Sequence, residues 1–463
     1  MESPTKESPT MESPTKEAVS ETTSGKTTDT VEKGGESVKK DERRKGLRCT
    51  KAAWAFFFMG LLIGLPATVT ASASSSMFDG MTGVFEICNS VVAAATSLCT
   101  PFLMRRFTYR TSMIICAVAT VLSYLFCALP EPMSTAKKVN EAGPVIGTMI
   151  SGFMHAFGVA SIIALQAFFP QEAPLALSAG SGLAVIVGPG SLIGLLAAFG
   201  QSAWRRVLLV YMPTGPLIMV VWWLLMEQKY IDAAEASRTA ARKAGSKDGE
   251  ESKSTESDGD STPPSTESDT QDTTTRPAVQ QRSRMDLLFK MVLPQYLLAF
   301  LLICVAANLA TMGVAPSLQK LKRFKDAPKG DLQFELIFLA SGVGNFLFAT
   351  LAGIRPSRGV WIWTALQTLL CIVGVIQLWA PFLTYYAFWV EVMFFIGGIV
   401  GVGRTNCFFS LSEDFRGEEY DEATRSFMVS FAGTGNFLGD GVGGCFAVLT
   451  EKLATKALVA TIR

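Results

Sequence analysis

Apolar blocks of about 20 residues or more, each poor in charge, constrain this sequence more than any other feature. The hydrocarbon core of a bilayer is about 30 Å thick, so a helix needs about 20 apolar residues to cross it. We count eleven such blocks, which is more than one soluble core can bury together. The sequence therefore predicts an all-α, polytopic membrane protein.

The blocks form two sets separated by a polar stretch. We predict spans at 52–72, 81–103, 111–130, 143–169, 175–200 and 206–226, then at 287–315, 333–354, 359–380, 382–411 and 424–449. This gives an N-terminal six-helix bundle over 52–226 and a C-terminal five-helix bundle over 286–449. The last segment, 450–463, is short and charged, so we predict an interfacial helix, with a degenerate twelfth span as the alternative.

Two long segments are almost wholly polar. Residues 1–51 and 227–285 carry about half of the charged side chains, and the first of them repeats MESPTKE. Such compositions cannot bury enough apolar surface to fold, so we predict a disordered cytosolic N-terminal tail and a disordered cytosolic loop. The loop is the place where cytosolic partners would bind.

Flanking basic residues set the orientation. They crowd the N-terminal side of the first span, which places that end and the 227–285 loop in the cytosol. With eleven spans the C-terminus is then lumenal, and two basic clusters disagree with the rule by falling on the non-cytosolic side. These are Arg205–Arg206 and the cluster Lys320, Lys322, Arg323, Lys325 and Lys329.

Composition excludes several classes of function. The net charge is +1, with no basic stripe interleaved with aromatics, so nucleic-acid binding has no support. The nine cysteines form no CxxC pairs and read as packing residues rather than as a disulfide frame or a zinc site. No Walker motif or triad-like arrangement occurs, so we expect neither an enzyme, a bound metal nor a cofactor.

Polar side chains inside the spans mark a pathway, because they are costly in lipid unless they face the bundle interior or a partner. Asn308 and Asn345 are two intramembrane amides of this kind. The candidates for a substrate or ion pathway are Glu86, Asn89, His155, Gln166, Ser178, Ser181, Glu391, Arg404, Asn406, Asn436 and Asp440.

Three of these candidates allow two interpretations each. Glu86, three residues from Asn89 on one helix face, would carry a proton or bind a cation, or else it reaches water near the lumenal end. His155 is the only histidine, and its ordinary pKa of about 6.5 suits coupling to an acidic lumen, although a lone histidine often only packs. Arg404 would hold an anionic group or pair with Asp440 or Glu391, or else it extends to the cytosolic surface.

Glycine-rich segments occupy the fifth span of each half. Span 5 reads SAGSGLAVIVGPGSLIG and span 11 reads SFAGTGNFLGDGVGG. Interrupted helices at matching positions are a sign of a transport site, so we predict broken helices in both. The alternative is close helix packing through small residues.

With these residues in view, the chain resembles the battenin family of lysosomal and vacuolar membrane proteins. One matching stretch is ALQAFFPQEAPLALSAGSG at 164–182, and the other is FIGGIVGVGRTNCFFSLSEDFRGEEYDEATRSF at 395–427. In the second, Asn406, Phe408, Arg425 and Phe427 match the family pattern of Asn-x-Phe followed by an acidic loop and Arg-x-Phe. The arrangement of eleven spans around a long central loop is also similar.

The resemblance implies a major-facilitator-like bundle in the endolysosomal or vacuolar membrane. It also implies a role in organellar pH and in the handling of basic amino acids or lipid-breakdown products. The chain departs from the family where members tend to carry acidic residues, at Val159, Ala307, Ile396 and Asn436. Here His155, Glu391 and Asp440 lie near those positions instead.

We therefore expect a transporter whose partners are the lipid bilayer, a small solute and protons. Two alternatives stay open at this stage. A non-transporting organelle scaffold would recruit trafficking or acidification machinery through the 227–285 loop. An equilibrative nucleoside transporter would share the eleven spans and the long central loop, but its signature residues are missing from spans 4–5 and 10–11.

Overall fold

The computed structural model describes residues 50–78, 81–129, 142–166, 168–169, 172–236, 239, 284–415 and 422–462. Nearly all of the predicted N-terminal tail and most of the predicted 227–285 loop lie outside these ranges. The described start of that loop is helical over 228–236. Within the described residues the protein contains helices and no strand, which confirms the all-α prediction.

Six long helical elements form the N-terminal half. The first helix begins after Thr50, whose Oγ1 accepts a hydrogen bond from the Ala53 N–H at 3.2 Å, as an N-cap residue does. The sixth element consists mainly of two α-helical pieces, Trp204–Val210 and Thr214–Leu225. The elements are α1 Lys51–Ser72, α2 Gly83–Arg106, α3 Tyr109–Ala128, α4 Ala142–Gln166, α5 Glu172–Phe199 and α6 Gln201–Leu225.

Five helical elements form the C-terminal half. Two stretches of α7, Leu288–Leu297 and Leu309–Val314, are wound as π-helix, and the first contains Pro294, which has no N–H to continue the α-helical ladder. The elements are α7 Leu288–Lys320, α8 Leu332–Ile354, α9 Val360–Trp379, α10 Tyr386–Asp414 and α11 Glu422–Ile462.

Ten of these elements, α1 to α10, are long and apolar enough to cross a membrane. The eleventh is longer still, but its glycines together with Asn436 and Asp440 lower its mean hydropathy. Large apolar side chains cover the outside of the bundle; Leu224 is 65 % exposed and Ile362 is 71 % exposed. A soluble protein would not present such surfaces to water, whereas a lipid-facing surface requires them.

The two halves meet along two lines of contact, which we call seams. Within the N-terminal half α1 packs on α5 and α3 packs on α4, while within the C-terminal half α8 packs on α10 and α7 packs on α11. The first seam joins α2 to α11, and the second joins α5 to α8. Each seam therefore pairs one helix from each half.

The prediction that spans 5 and 11 are broken helices is wrong. Both α5 and α11 are continuous, and Pro189 does not interrupt α5. Their glycines allow close packing instead. A Cβ atom at Gly180 would lie 1.9 Å from the Phe57 carbonyl oxygen of α1, and one at Gly443 would lie 2.7 Å from the Cβ of Asn308 in α7. Small residues at these crossings let the helices approach, which was the alternative interpretation.

Candidate functional site

A group of hydrogen-bonded polar side chains lies between α7, α10 and α11. The Arg404 guanidinium donates to Asn436 Oδ1 at 3.1 Å, and Asn436 Nδ2 donates to Asp440 Oδ2 at 2.8 Å. Asn308 Nδ2 donates to the other oxygen of Asp440. One carboxylate thus accepts from two amides, and a guanidinium lies at the end of the chain of hydrogen bonds.

The N-terminal half contributes Glu86 to this group. Glu86 is 8 % exposed on α2, and its Oε2 accepts a hydrogen bond from Ser90 Oγ at 3.2 Å. It is close enough to Asp440 for the two carboxyl groups to interact electrostatically across the α2–α11 seam. We call Glu86, Asn308, Arg404, Asn436 and Asp440 together the polar cluster.

The close approach of α11 to its neighbours explains why these side chains meet. A Cβ atom at Gly439 would lie 2.7 Å from the Leu301 carbonyl oxygen of α7, and one at Gly444 would lie 2.9 Å from the Cβ of Glu86. The two glycines are five residues apart and so point to different neighbours. Any larger residue would push α7 or α2 away from α11 and separate Glu86 or Asn308 from Asp440.

His155 lies beside the polar cluster on α4. Its Nδ1 is 3.4 Å from the carbonyl oxygen of Ile63 in α1, and its ring meets the Phe437 ring edge-on with the centroids 6.0 Å apart. His155 also interacts electrostatically with Arg404. The histidine therefore faces groups of both halves.

The polar cluster contains acidic and basic side chains. Two carboxyl groups, one guanidinium and two amides offer acceptors to a cationic group and donors to an anionic one. Arg404 interacts electrostatically with Asp440, so the charges partly compensate each other. Among the described residues no group of three or more His, Cys, Asp or Glu side chains could hold a metal ion.

Two candidates from the sequence lie away from the polar cluster. Asn406 is 1 % exposed, and it ties down the loop between α8 and α9: its Oδ1 accepts from the Ser357 N–H at 2.8 Å and its Nδ2 donates to Ser357 Oγ at 3.1 Å. Glu391 is exposed and stands 13 residues before Arg404 on α10, which is about 20 Å along a helix. Of the two partners considered for Arg404, the structure brings only Asp440 near.

The other four candidates are spread over three helices. Asn89 is buried on α2, one turn from Glu86, and its Oδ1 has no hydrogen-bond partner among the described residues. Gln166 is half-buried at the end of α4, and Ser178 is exposed on α5. Ser181 packs at the α1–α5 crossing, where its backbone N would lie 2.9 Å from a Cβ atom at Gly60.

Sequence reasoning missed two groups that belong to this region. Ser90 lies one turn after Glu86, and Phe437 directly follows Asn436 in the chain. The spacing of Glu86 and Ser90 was a readable signal, because residues four apart share a helix face. The contact between Phe437 and His155 could not be predicted from the sequence, because it depends on how the two halves pack against each other.

The fold is similar to solved transporter structures of the major-facilitator type. The crystal structure of a D-xylose-proton symporter aligns with a TM-score of 0.55 and 14 % identity, covering 87 % of this chain and 96 % of that one. A POT family transporter in complex with a thioalcohol-conjugated peptide aligns with a TM-score of 0.53 and 10 % identity, covering 89 % and 95 %. At these identities the likeness concerns the fold alone, and it confirms the prediction of a major-facilitator-like helical bundle.

Comparison with known sequences gives two results. No curated protein sequence matches the chain closely enough to count as a relative. The model of the CLN3 protein family matches residues 54–457, which extend from the start of α1 almost to the end of α11. The chain therefore has the fold of solved membrane transporters, and it belongs to the CLN3 protein family, the battenins.

Proposed function

We propose that this protein moves a small solute across the endolysosomal or vacuolar membrane, with the polar cluster as the solute pathway. The observation that supports this most directly is the electrostatic interaction of Glu86 from one half with Asp440 from the other, where the two halves pack together. Buried charges inside a membrane bundle are costly and mark ion or solute pathways. Rocking one half against the other would expose such a cluster to each side in turn.

The charges of the polar cluster support a solute with an ammonium group, an anionic group or both. Glu86 and Asp440 would receive the ammonium group, and Arg404 would receive a carboxylate or phosphate. A basic amino acid and a charged product of lipid breakdown both fit this pattern. The same two carboxyl groups, with His155 beside them, are the groups that would carry a coupled proton and so link transport to organellar pH.

The decisive experiment compares metabolites of organelles purified from cells with and without the protein. We expect a charged small solute to accumulate in endolysosomal or vacuolar compartments that lack it. A compartment with unchanged solutes would contradict the proposal. The protein itself, visualised in the same cells, should lie in the membrane of that compartment.

Uptake by liposomes that contain the purified protein then tests whether the solute passes through the polar cluster. We expect uptake of the accumulating solute to depend on an imposed pH gradient, and to fall in Glu86→Gln but not in Glu391→Gln. The second variant is a matched control, since Glu391 is an exposed carboxylate outside the polar cluster. Equal uptake with and without a gradient would remove Glu86 and His155 as proton carriers.

The scaffold alternative makes the opposite prediction. A scaffold would lose its function when residues 232–282 are deleted and keep it when Glu86 or Arg404 is substituted. A transporter with the proposed pathway would respond the other way round. Both sets of variants therefore belong in the same complementation experiment.

A further inference from the structure

A cavity lies where the α7–α8 loop meets the start of α2, at the end of the bundle that the sequence predicts to be non-cytosolic. Its volume is about 590 Å³. Thr82 from the N-terminal half lines one side, and Lys320, Lys322, Lys329 and Asp331 from the C-terminal half line the other. We call it the mouth cavity. No member of the polar cluster lines it, and its three lysines all belong to the basic cluster that disagreed with the predicted orientation.

The mouth cavity has an excess of positive charge. Its one carboxylate, Asp331, already accepts a hydrogen bond from Ser76 Oγ at 2.7 Å. Lys322 and Lys329 are exposed, and no acidic side chain among the described residues pairs with either of them. Three ammonium groups, of which only Lys320 also contacts a carboxylate outside the lining in the described part of the chain, surround one carboxylate that is already hydrogen-bonded, so the site is suited to an anion.

Lys322 occupies a backbone position that favours glycine. Its φ is +49°, in the left-handed region. The Lys322 N–H bonds to the Gln319 carbonyl at 3.0 Å and the Arg323 N–H to the Leu318 carbonyl at 3.2 Å, the pattern of a Schellman helix end. A glycine would adopt this conformation without strain, so local folding does not account for a lysine here.

Lys320 connects the mouth cavity to a contact between the two halves. Its Nζ lies 3.8 Å from Glu451 Oε2 on α11, and Glu451 is 1 % exposed. The other oxygen of Glu451 accepts the Thr82 N–H at 3.1 Å at the start of α2. Lys320 therefore stands between a buried carboxylate that joins α2 to α11 and the open cavity beside it.

We propose that the mouth cavity binds a small, multiply charged anion, such as a phosphate group, and that this anion competes with Glu451 for Lys320. Binding would draw the lysine toward the cavity and weaken the Lys320–Glu451 contact at the α2–α11 seam. The site stands whether or not the anion is the transported solute. A free anion and an anionic lipid headgroup share the required chemistry, and the experiment separates them.

Binding of inorganic phosphate to the purified full-length protein, measured by calorimetry in neutral detergent, is the primary test. We expect Lys322→Gln/Lys329→Gln to weaken binding about tenfold or more, because each ammonium acts at contact distance in a partly solvated cavity. The matched control is Lys325→Gln/Lys456→Gln, two exposed lysines near the same end of the bundle that do not line the cavity. An unchanged cavity variant, or an equal loss in the control, would overturn the proposal.

Two single variants separate binding from folding. Lys322→Gly should raise the thermal midpoint of the protein, because it relieves the left-handed strain, and should still weaken phosphate binding. Retained phosphate affinity in this variant would overturn the proposal. Glu451→Gln removes the charge that competes for Lys320, so we expect phosphate to bind several-fold more tightly; weaker binding would refute the competition.

Nanodiscs distinguish the two sources of the anion. If phosphate binds equally in nanodiscs of neutral phosphatidylcholine and of phosphatidylglycerol, the occupant is a free anion. If phosphatidylglycerol displaces phosphate from the native protein, a lipid headgroup occupies the cavity. Absence of phosphate binding in detergent and in both kinds of nanodisc would refute the site.

Discussion

The two seams between the halves differ in chemistry. The α2–α11 seam is polar from Thr82, which bonds Glu451, through the Glu86–Asp440 pair to Ser97, whose hydroxyl is 3.1 Å from that of Thr434. The α5–α8 seam is built from small and apolar residues. A Cβ atom at Gly342 would lie 2.3 Å from the Val185 carbonyl oxygen, and one at Gly182 would lie 2.8 Å from the Phe346 ring.

This difference assigns the two seams different tasks. Polar contacts can be exchanged for water or for a solute at small net cost, because each group finds another partner. Close backbone contact between apolar helices has no such substitute, since its stabilisation comes from packing. We therefore expect the α2–α11 seam to carry recognition and the α5–α8 seam to hold the halves together while they move.

The largest expected effect is loss of transport when the charge of Asp440 is removed. In Asp440→Asn, an amide nitrogen replaces one of the two oxygens, so either Asn308 or Asn436 loses its acceptor, and Arg404 loses a compensating charge. We expect the initial uptake rate in liposomes to fall at least about tenfold, which corresponds to roughly 1.4 kcal/mol. The solute is the one that accumulates in organelles lacking the protein.

Glu391→Gln is the control for this prediction, since it removes one carboxylate charge from an exposed position of α10. Native uptake in Asp440→Asn would break the assignment of recognition to the α2–α11 seam. If Asp440→Asn loses uptake but keeps the native thermal midpoint, the result supports the assignment of recognition to the α2–α11 seam.

The spans could be predicted from sequence more fully than the site. Predicted spans such as 52–72 and 333–354 agree with Lys51–Ser72 and Leu332–Ile354 within a residue, because the length of an apolar run is a local property. The proximity of Asn436 and Asp440 could also be predicted from the sequence, because residues four apart share one face of a helix. Which helix faces which is not local, so the exposure of Glu391 and the use of Asn406 to hold a loop could not be foreseen.

The next largest effect concerns packing in the α5–α8 seam. Gly342→Ala places a methyl group against the Val185 carbonyl of α5, and overpacking of this kind costs about 1–3 kcal/mol. We expect a thermal midpoint several degrees lower in detergent. Gly353→Ala on the same helix is the control, because a Cβ there meets nothing within 4 Å. Equal thermal midpoints for the two variants would show that α5 and α8 can move apart to accept the methyl group at little cost in stability.

Glu335 is the exception inside the apolar seam. It lies two turns before Gly342 on the same face of α8, is fully buried, and neither carboxyl oxygen has a hydrogen-bond partner among the described residues. Glu335→Met replaces it with an apolar side chain of similar length, so we expect a gain of about 1–3 kcal/mol in stability. The measurement is the thermal midpoint, with Asp331→Asn as a control that should not gain, because Asp331 is hydrogen-bonded to Ser76.

A transport defect in the stabilised Glu335→Met variant would contradict the assignment of different tasks to the two seams. The α5–α8 seam would then also hold a functional carboxyl group, and the separation of recognition from packing would fail. Unchanged uptake with a raised midpoint would support the division of tasks between the seams.

The smallest expected effect comes from the hydrogen bond between Ser97 and Thr434, which links the α2–α11 seam 11 residues beyond Glu86. Ser97→Ala should cost only about 1 kcal/mol in stability, because that is the usual net contribution of one hydrogen bond between uncharged groups. If the bond helps to hold the seam closed, the variant should change the rate of uptake more than the thermal midpoint, and Thr434→Ala should match it. A double variant with the same uptake rate as each single variant would show that the two hydroxyls act through their mutual bond, whereas additive effects would mean that each acts alone and that this end of the seam is not joined by it.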